Sequence, residues 1–336
     1  MNKIIWPKWP VYTKEDVSSV IRVVKSNQIF AAKEVKKFEN DFARYNKSKF
    51  VKCVGNATQG LHLALSALEI GYGDEVIVTN YSWISTASCI LMQNAKPVFV
   101  DIELDTLGID PKKIERAITK KTKAIIVVHM FGNPCKIEEI QKIAKKKKLY
   151  LIEDASHAHG TTIKNKKAGN FSDIAVFSVH QRKNLSAGEG GVVISKNKNL
   201  DKKIYKLRSF GDRKLSYNYR MTEFCAAIGQ NSLKRLNKEN ILRNKNIKYL
   251  NNKIQKYKLN KFYNIVMPRE NCSSTFHKLP LLFQYKFFKT DIIHFINYMN
   301  KFGIPFSKAY VPLNKHSNFN IKKKKEYKFP KYQTRL

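Results

Sequence analysis

The sequence predicts an α/β protein in which a mostly parallel β-sheet is covered by helices on both faces. Short apolar runs of strand length recur through the middle of the chain, at residues 76–78, 97–100, 124–128, 149–152, 174–178 and 191–194. Helical patterns lie between many of them, at residues 61–70, 85–94, 111–119 and 136–147. Strands and helices that alternate at this spacing form parallel sheets, and such sheets bind ligands beyond the carboxyl ends of their strands.

The size and composition of the chain indicate more than one structural unit. Its 336 residues exceed one typical domain. After about residue 240 the pattern changes to Lys/Asn-rich helix and irregular segments, so we expect a large domain with an N-terminal arm at residues 1–240 and a smaller α+β domain at residues 241–336. Residues 322–336 are basic and lack periodicity, which predicts a loosely held tail.

The sequence does not indicate a membrane protein, a secreted protein or a metal-binding protein. No apolar run approaches the roughly 18–20 residues that span a bilayer, and the N-terminus lacks the apolar core of a signal peptide. We therefore expect a cytoplasmic protein without a membrane partner. The five cysteines are widely spaced, with no CxxC pair and no histidine at zinc-ligand spacing, which predicts reduced thiols and no metal site.

The formal net charge of +37 suggests nucleic acid as a partner at first sight. The basic residues are mostly lysines spread along the whole chain, whereas specific base recognition favours arginine. We therefore expect weak, nonspecific binding of polyanions and no specific nucleic acid.

A turn between a strand and a helix forms a candidate phosphate site. The segment GNATQG at residues 55–60 follows the strand-like segment VKCV at residues 51–54 and precedes a helical pattern, and it contains Ala57 and Thr58. The first turn of a helix offers free backbone N–H groups and a positive dipole end to an anion. Most strand-to-helix turns use such small residues, so this turn alone is a weak signal.

Two further candidates follow predicted strand ends. Trp83 comes just after a strand and offers a flat ring for stacking on a cofactor, although most aromatic residues at such positions are core or rim residues. Asp154 ends an apolar strand, where burial of a carboxylate is costly unless it faces a cation. The protonated pyridine nitrogen of pyridoxal phosphate is such a cation, whereas capping of the next turn is the common alternative.

The stretch FSVHQRKNLSAGEGG at residues 177–191 places Lys183 between Ser178 and a glycine-rich turn. A lysine in this context resembles a Schiff-base lysine, which needs a partly deprotonated amine. Taken alone, Lys183 would be interpreted as a surface residue of a lysine-rich chain. Four motifs in one order, however, favour a shared site: phosphate turn, aromatic residue, acidic strand end, and lysine before a glycine turn.

With these motifs the sequence resembles the DegT/DnrJ/EryC1/StrS family of sugar aminotransferases, which are fold-type-I enzymes that use pyridoxal 5'-phosphate. The resemblance extends from about residue 6 to residue 316 and is most specific at residues 178–191, 153–160 and 211–227. It implies a large domain with a mostly parallel central sheet and a smaller C-terminal α+β domain. It also implies that Lys183 bonds to the cofactor and moves the proton in transamination.

The resemblance implies roles for the remaining site residues. Asp154 pairs with the pyridine nitrogen, His157 contacts the ring hydroxyl side, and Trp83 stacks on the ring. The cofactor phosphate binds at Ala57, Thr58 and Ser178, with Ala57 standing where the family usually has glycine. Asn218 reaches the phosphate in the neighbouring subunit's site, which implies a homodimer with shared active sites. The substrate is near His180, Tyr310 and Asn314, the last where histidine is common.

The activity implied by the resemblance is transfer of an amino group from L-glutamate or L-glutamine to a keto-sugar, with a nucleotide-linked sugar as the broader class. Lys183 argues against the dehydratase branch of the family, which carries histidine there. The lead-in HQR before Lys183 is also similar to that of members acting on cyclitol ketones such as scyllo-inosose. A noncatalytic protein that keeps the fold, and after it a nucleic-acid binder, are the alternatives from other classes. The sequence specifies neither the sugar, the carbon aminated, nor the preferred donor.

Overall fold

The computed structural model describes residues 3–6, 8–210, 216–284, 287 and 291–319. The α-helices in this part of the chain are α1 Lys14–Lys25, α2 Lys33–Asn46, α3 Ala57–Ala67, α4 Ser85–Met92, α5 Pro111–Ala117, α6 Ile137–Lys146, α7 Lys198–Arg208, α8 Glu223–Lys256 and α9 Ile292–Lys301. The strands are β1 Phe50–Val54, β2 Glu75–Thr79, β3 Lys96–Val100, β4 Thr122–Val128, β5 Tyr150–Asp154, β6 Thr162–Ile163, β7 Lys166–Lys167, β8 Ile174–Ser178, β9 Gly191–Ser195, β10 Tyr263–Ile265, β11 Cys272–Ser273 and β12 Leu281–Phe283. The tail predicted at residues 322–336 lies outside the described residues.

A central sheet of seven strands has the order β1-β9-β8-β5-β4-β2-β3. Strands β8, β5, β4, β2 and β3 are mutually parallel, and β9 runs antiparallel to both of its neighbours. Every apolar run that the sequence assigns to a strand lies in this sheet. The predicted α/β class with a mostly parallel sheet is therefore confirmed.

Two layers of helices bury the two faces of the sheet. Along β4, Ile125 and Val127 pack into the core shared with α2, α5, α6 and α8, whereas Ile126 packs into the core shared with α3, α4 and α7. Successive side chains of a strand point to opposite faces, so a strand buried on both sides has a continuous apolar sequence. This explains why the predicted runs lack polar alternation.

A smaller apolar cluster lies in the C-terminal part of the chain. Strands β10 and β12 form an antiparallel pair, and Phe283 from β12 packs with Ile292 and Ile296 of α9. Residue 240, the predicted boundary, lies within α8, which continues from the large core towards this cluster through Ile254. The division into two domains stays a prediction.

No helix within the described ranges is long and apolar enough to cross a membrane.

Candidate active site

A cavity of about 740 Å³ opens where the central sheet presents the carboxyl ends of its parallel strands. Most of the residues proposed from the sequence line it, although they come from distant parts of the chain. They are Ala57, Thr58, Trp83, Asp154, His157, Ser178, His180, Lys183 and Tyr310. The fold therefore brings nine of the candidates into one pocket, as the carboxyl-end rule for parallel sheets predicts.

Asp154 ends β5 and is 5% exposed. Its Oδ2 accepts a hydrogen bond from the Thr86 hydroxyl at 2.8 Å, and its Oδ1 accepts one from the backbone N–H of Ser156 at 3.2 Å. The Thr86 hydroxyl also lies 2.8 Å from the hydroxyl of Ser82. A carboxylate has about four acceptor positions, so two hydrogen bonds leave Asp154 able to bind a further donor in the pocket.

Lys183 lies in the loop that joins β8 to β9. The loop is held by backbone hydrogen bonds from Val179 to Gly190 at 2.9 Å and from Gln181 to Gly188 at 2.7 Å. Gly188 has a φ of +85°, a conformation that side chains disfavour. Burial lowers the pKa of the Lys183 amine to about 8, with the positive charge of Lys278 adding to the effect and the negative charge of Asp154 opposing it.

The start of α3 forms another wall of the cavity. The Asn56 side chain caps this helix by accepting from the backbone N–H of Gln59 at 2.9 Å, and the Thr58 hydroxyl donates to the hydroxyl of Ser85 at 2.9 Å. A Cβ added to Gly191, at the start of β9, would lie 2.7 Å from the backbone carbonyl carbon of Asn56. Only glycine lets β9 approach the helix start this closely, and the first turn of α3 faces the pocket with Ala57 and Thr58.

A series of aromatic rings borders the cavity on the side of β5. The His157 ring is stacked with Phe131, at a centroid distance of 6.1 Å, and with His277, at 4.5 Å. Phe131 is also stacked on Tyr310 at 5.9 Å, and Tyr310 has an edge contact with Trp83 at 6.0 Å. Trp83 remains 58% exposed.

Both imidazoles of this series favour the neutral form. Burial, together with the charges of Lys183 and Lys278, lowers the pKa of both His157 and His277 well below the usual value. The Nδ1 atom of His157 accepts a hydrogen bond from the backbone N–H of Phe131 at 3.3 Å. The Nδ1 atom of His277 is buried and has no hydrogen-bond partner among the described residues.

The other candidates lie at the margin of the pocket or outside it. His180 lines the cavity, and its Nε2 is 3.5 Å from the Glu189 carboxylate. Asn218 is exposed and does not line the pocket of its own chain. Asn314 is not a lining residue either, and its backbone N–H donates to the side chain of Asn80 at 2.9 Å. The roles of all these residues stay predictions.

The lining residues that were not among the sequence candidates include Thr86, Arg182, His277 and Lys278. Thr86 lies within the predicted helix after Trp83, and Arg182 immediately precedes Lys183, so their positions near motifs were the available signals. His277 and Lys278 lie outside every motif singled out in the sequence, and no local pattern identifies them.

The donor set of the pocket fits pyridoxal 5'-phosphate. A buried carboxylate with unused acceptor capacity suits a protonated ring nitrogen, and a partly neutral lysine amine suits an aldehyde. The helix start beside Gly191, with the hydroxyls of Thr58 and Ser178 in the same cavity, suits a phosphate dianion. These three features match the three ends of the cofactor.

Comparison with known proteins gives the same assignment. The family model described as the DegT/DnrJ/EryC1/StrS aminotransferase family matches residues 10–334. An uncharacterized protein of Methanocaldococcus jannaschii is 37% identical over 92% of this chain and 84% of its own length. GDP-perosamine synthase of Vibrio cholerae is 39% identical over 61% of this chain, and the match spans 58% of that enzyme's length.

Solved structures extend the similarity to nearly the whole fold. The aminotransferase from Psychrobacter cryohalolentis has a TM-score of 0.88 and 31% identity, covering 94% of this chain and 88% of that chain. The PLP-form of Spr1654 from Streptococcus pneumoniae has a TM-score of 0.87 and 25% identity, covering 94% and 87% of the two chains. The fold expected from the sequence resemblance is thereby confirmed.

Proposed function

Since the chain belongs to the DegT/DnrJ/EryC1/StrS aminotransferase family, we propose that it transfers an amino group from L-glutamate or L-glutamine to the ketone of a nucleotide-linked sugar. The family consists of sugar aminotransferases that depend on pyridoxal phosphate, which agrees with the cofactor predicted from the sequence. One observation carries the proposal for this chain: Lys183, Asp154 and the start of α3 line the same cavity.

Each wall of the pocket has a defined task in this proposal. When bound, pyridoxal phosphate supplies an electron sink for the charge that develops when the donor loses its α-proton. The Asp154 carboxylate, fixed by Thr86, holds a proton on the ring nitrogen by electrostatic attraction. The free N–H groups of α3 and the Ser178 hydroxyl hold the phosphate group, and the exposed Trp83 ring covers one face.

Lys183 supplies the covalent bond and the proton transfer. With a pKa of about 8, about a tenth of its amine is neutral at pH 7. The neutral Nζ atom of Lys183 would form the covalent bond to the cofactor and, once freed by the donor amine, would accept the α-proton of the donor. In the second half-reaction the Lys183 ammonium returns a proton as the amino group passes to the ketone.

Two observations favour a nucleotide-linked acceptor. The relative from Vibrio cholerae is a GDP-perosamine synthase, whose name refers to a nucleotide-linked amino sugar. The cavity also has Arg182 and Lys278 in its wall, and the chain has a net charge of +37. Such a positive field raises the local concentration of an anionic diphosphate. We propose biosynthesis of an amino sugar for a glycan as the resulting role.

A homodimer with shared sites is part of this proposal. Val17, Ile21 and Val24 form an exposed apolar stripe on α1, spaced four and three residues apart, and each is about half exposed. Two aromatic residues, Phe30 and Phe210, are also exposed, by 65% and 58%. A second copy of the chain would bury this surface, and the exposed Asn218 would then reach the partner's pocket.

The cytoplasm is the compartment we propose. All five cysteines have free thiols, and Cys53, Cys89 and Cys135 are buried. Free thiols persist where the medium is reducing.

The first test follows the absorbance of the purified protein. Wild-type protein should have visible absorbance that glutamate or glutamine converts to that of the pyridoxamine form, and borohydride should fix the cofactor to Lys183. Lys183→Ala should lose both properties, whereas Lys120→Ala, at an exposed turn, should keep them. Absence of conversion with every amino donor would favour a noncatalytic protein instead.

The acceptor is tested by mass spectrometry of the products. Purified nucleotide-linked keto-sugars and scyllo-inosose would be offered to the pyridoxamine form, and the mass of each product would reveal ketone-to-amine exchange. Amination of scyllo-inosose alone would replace the nucleotide-linked acceptor with a cyclitol ketone.

Shared active sites are tested by mixing two inactive variants. Lys183→Ala and Asn218→Ala, combined at equal amounts after subunit exchange, should recover about a quarter of wild-type activity, because half of the dimers are mixed and each has one intact site. No recovery despite demonstrated mixed dimers would contradict the proposed role of Asn218.

A further inference from the structure

Two cationic side chains lie in the wall of the cavity. Arg182 belongs to the loop after β8, and Lys278 belongs to the segment before β12, yet both line the same pocket. In the part of the chain that the structure describes, no ion pair includes either residue. Burial lowers the pKa of Lys278, and the positive charge of Arg182 lowers it further, so the two side chains sense each other's charge.

The carboxylates of the pocket have other partners. Asp154 accepts from Thr86 and from the backbone of Ser156. Glu189 is 65% exposed at its side chain and lies 3.5 Å from the imidazole of His180. Among the described residues, neither carboxylate forms an ion pair with Arg182 or Lys278, and two like charges in the wall of one cavity favour a bound anion.

The position of Lys278 identifies the part of the pocket that is involved. Its Nζ lies 5.6 Å from the centroid of the Tyr310 ring, a cation–π arrangement that restrains the side chain. The preceding residue, His277, stacks on His157, which lies on the same side of the cavity as the end of β5. The wall that contains Lys278 and Tyr310 is therefore separate from the start of α3, where the phosphate of the cofactor is proposed to bind.

We propose that Arg182 and Lys278 together bind an oxyanion of the substrates, either a carboxylate of the amino donor or a phosphate of the nucleotide-linked acceptor. This inference rests on the proposed function for the identity of those substrates. Arginine presents a planar fork of N–H donors that matches two oxygens of a carboxylate or phosphate, and lysine adds a point charge. The two half-reactions use the pocket in turn, so one anion site can serve each substrate.

The direct test is binding of inorganic pyrophosphate to protein saturated with pyridoxal phosphate, measured by titration calorimetry. Saturation fills the phosphate site at α3, so pyrophosphate reports on other anion sites. Wild-type protein should bind it, and Arg182→Gln and Lys278→Gln should each weaken binding by about tenfold or more. Lys120→Gln, which removes an exposed charge outside the pocket, should bind like wild type. Affinities within twofold of wild type in both pocket variants, or no binding to wild type, would overturn the proposal.

Kinetics then identify the source of the oxyanion. If a donor carboxylate occupies the site, Arg182→Gln should raise the half-saturating concentration of L-glutamate or L-glutamine, with little change in the maximal rate of that half-reaction. If the acceptor phosphate occupies it, the same increase should appear only with the nucleotide-linked sugar. Arg182→Lys should recover part of the loss because it keeps the charge without the fork. No change in either half-reaction would overturn the proposal.

The calorimetric result is independent of turnover. If the protein aminates no sugar, the proposed function fails, but pyrophosphate binding still decides whether Arg182 and Lys278 form an anion site.

Discussion

Glu153 and Asp154 are adjacent carboxylates at the end of β5, and the structure uses them in opposite ways. Because strand side chains alternate, they point to opposite faces of the sheet. Glu153 is fully buried and receives hydrogen bonds from His129 at 2.9 Å, Ser172 at 2.8 Å and the backbone N–H groups of Gly169 and Phe171. Asp154 receives two hydrogen bonds and lines the cavity.

The difference shows which carboxylate is available for a ligand. Four donors fill the acceptor positions of Glu153, so it fastens the segment around Ser172 to the sheet and has no capacity for a substrate. The Nδ1 atom of His129 accepts a hydrogen bond from the backbone N–H of Cys135 at 3.3 Å, so the Nε2 atom carries the ring proton and donates it to the Glu153 carboxylate. Asp154 keeps acceptor positions directed at the pocket, and the ion that completes its environment is proposed to be the cofactor ring nitrogen.

Glu153→Gln should have the largest effect, and it should act on stability. Each Glu153 oxygen accepts from two donors, so the amide nitrogen of the variant would leave two buried donors without an acceptor. Each buried donor left unsatisfied costs about 1–3 kcal/mol, so the free energy of unfolding should fall by about 2–6 kcal/mol. Urea denaturation measures the loss, and turnover per folded molecule should remain near wild type. A variant as stable as wild type would show that Glu153 is not the fastening residue.

Asp154→Asn should affect turnover and leave the fold in place. Asparagine keeps an acceptor for Thr86 but removes the negative charge opposite the ring nitrogen, so we expect turnover to fall about 100- to 1,000-fold. Retention of pyridoxal phosphate after gel filtration should fall as well. Unfolding by urea provides the control, because a stability loss comparable with that of Glu153→Gln would assign Asp154 to the same structural role.

The acidic pair also marks what the sequence can predict. An apolar run that ends in two acids indicates a strand end, and the strands of the sheet were predictable because each is a local apolar pattern. The division of labour between the two acids depends on His129, Gly169 and Ser172, which come from other elements and leave no local pattern. Sequence reasoning selected Asp154 because a carboxylate at an apolar strand end needs a cation, the family resemblance implied its role, and the role of Glu153 stayed open.

Helix α8 shows a different limit. The change of composition near residue 240 falls inside one continuous helix, Glu223–Lys256, whose buried residues lie mostly in its first half. Up to Leu236 the helix packs on the large core. In the rest of the helix, which the structure describes in full, Ile254 is the one buried residue. The change to a Lys/Asn-rich composition therefore occurs where the helix leaves the large core. The same change in composition would be expected at the end of a domain, so the sequence alone does not distinguish the two cases.

A matched pair of hydroxyl deletions should sharpen the comparison further. Thr86→Val removes the hydrogen bond to Asp154, and Ser172→Ala removes the one to Glu153. A hydrogen bond to a charged group contributes about 1.5–3 kcal/mol. Thr86→Val should therefore weaken cofactor retention by about tenfold or more, whereas Ser172→Ala should lower the free energy of unfolding and spare retention. Loss of cofactor retention in Ser172→Ala but not in Thr86→Val, or equal losses of stability in both variants, would contradict the roles assigned to Asp154 and Glu153.

The smallest expected effect is a shift in the pKa of Lys183, measured in cofactor-free protein by reductive methylation with formaldehyde and peptide mass spectrometry. Only the neutral amine reacts, so modification of Lys183 should rise with pH and reach its midpoint near pH 8. The negative charge of Asp154 raises this pKa and the positive charge of Lys278 lowers it, so Asp154→Asn should move the midpoint down and Lys278→Gln should move it up. Glu153→Gln should leave it in place, because that carboxylate lies on the other face of the sheet beside His129. If Asp154→Asn and Glu153→Gln shifted the midpoint of Lys183 equally, the Lys183 amine would respond to the net charge of the protein alone. The proposed difference between Asp154 and Glu153 would then have no electrostatic basis.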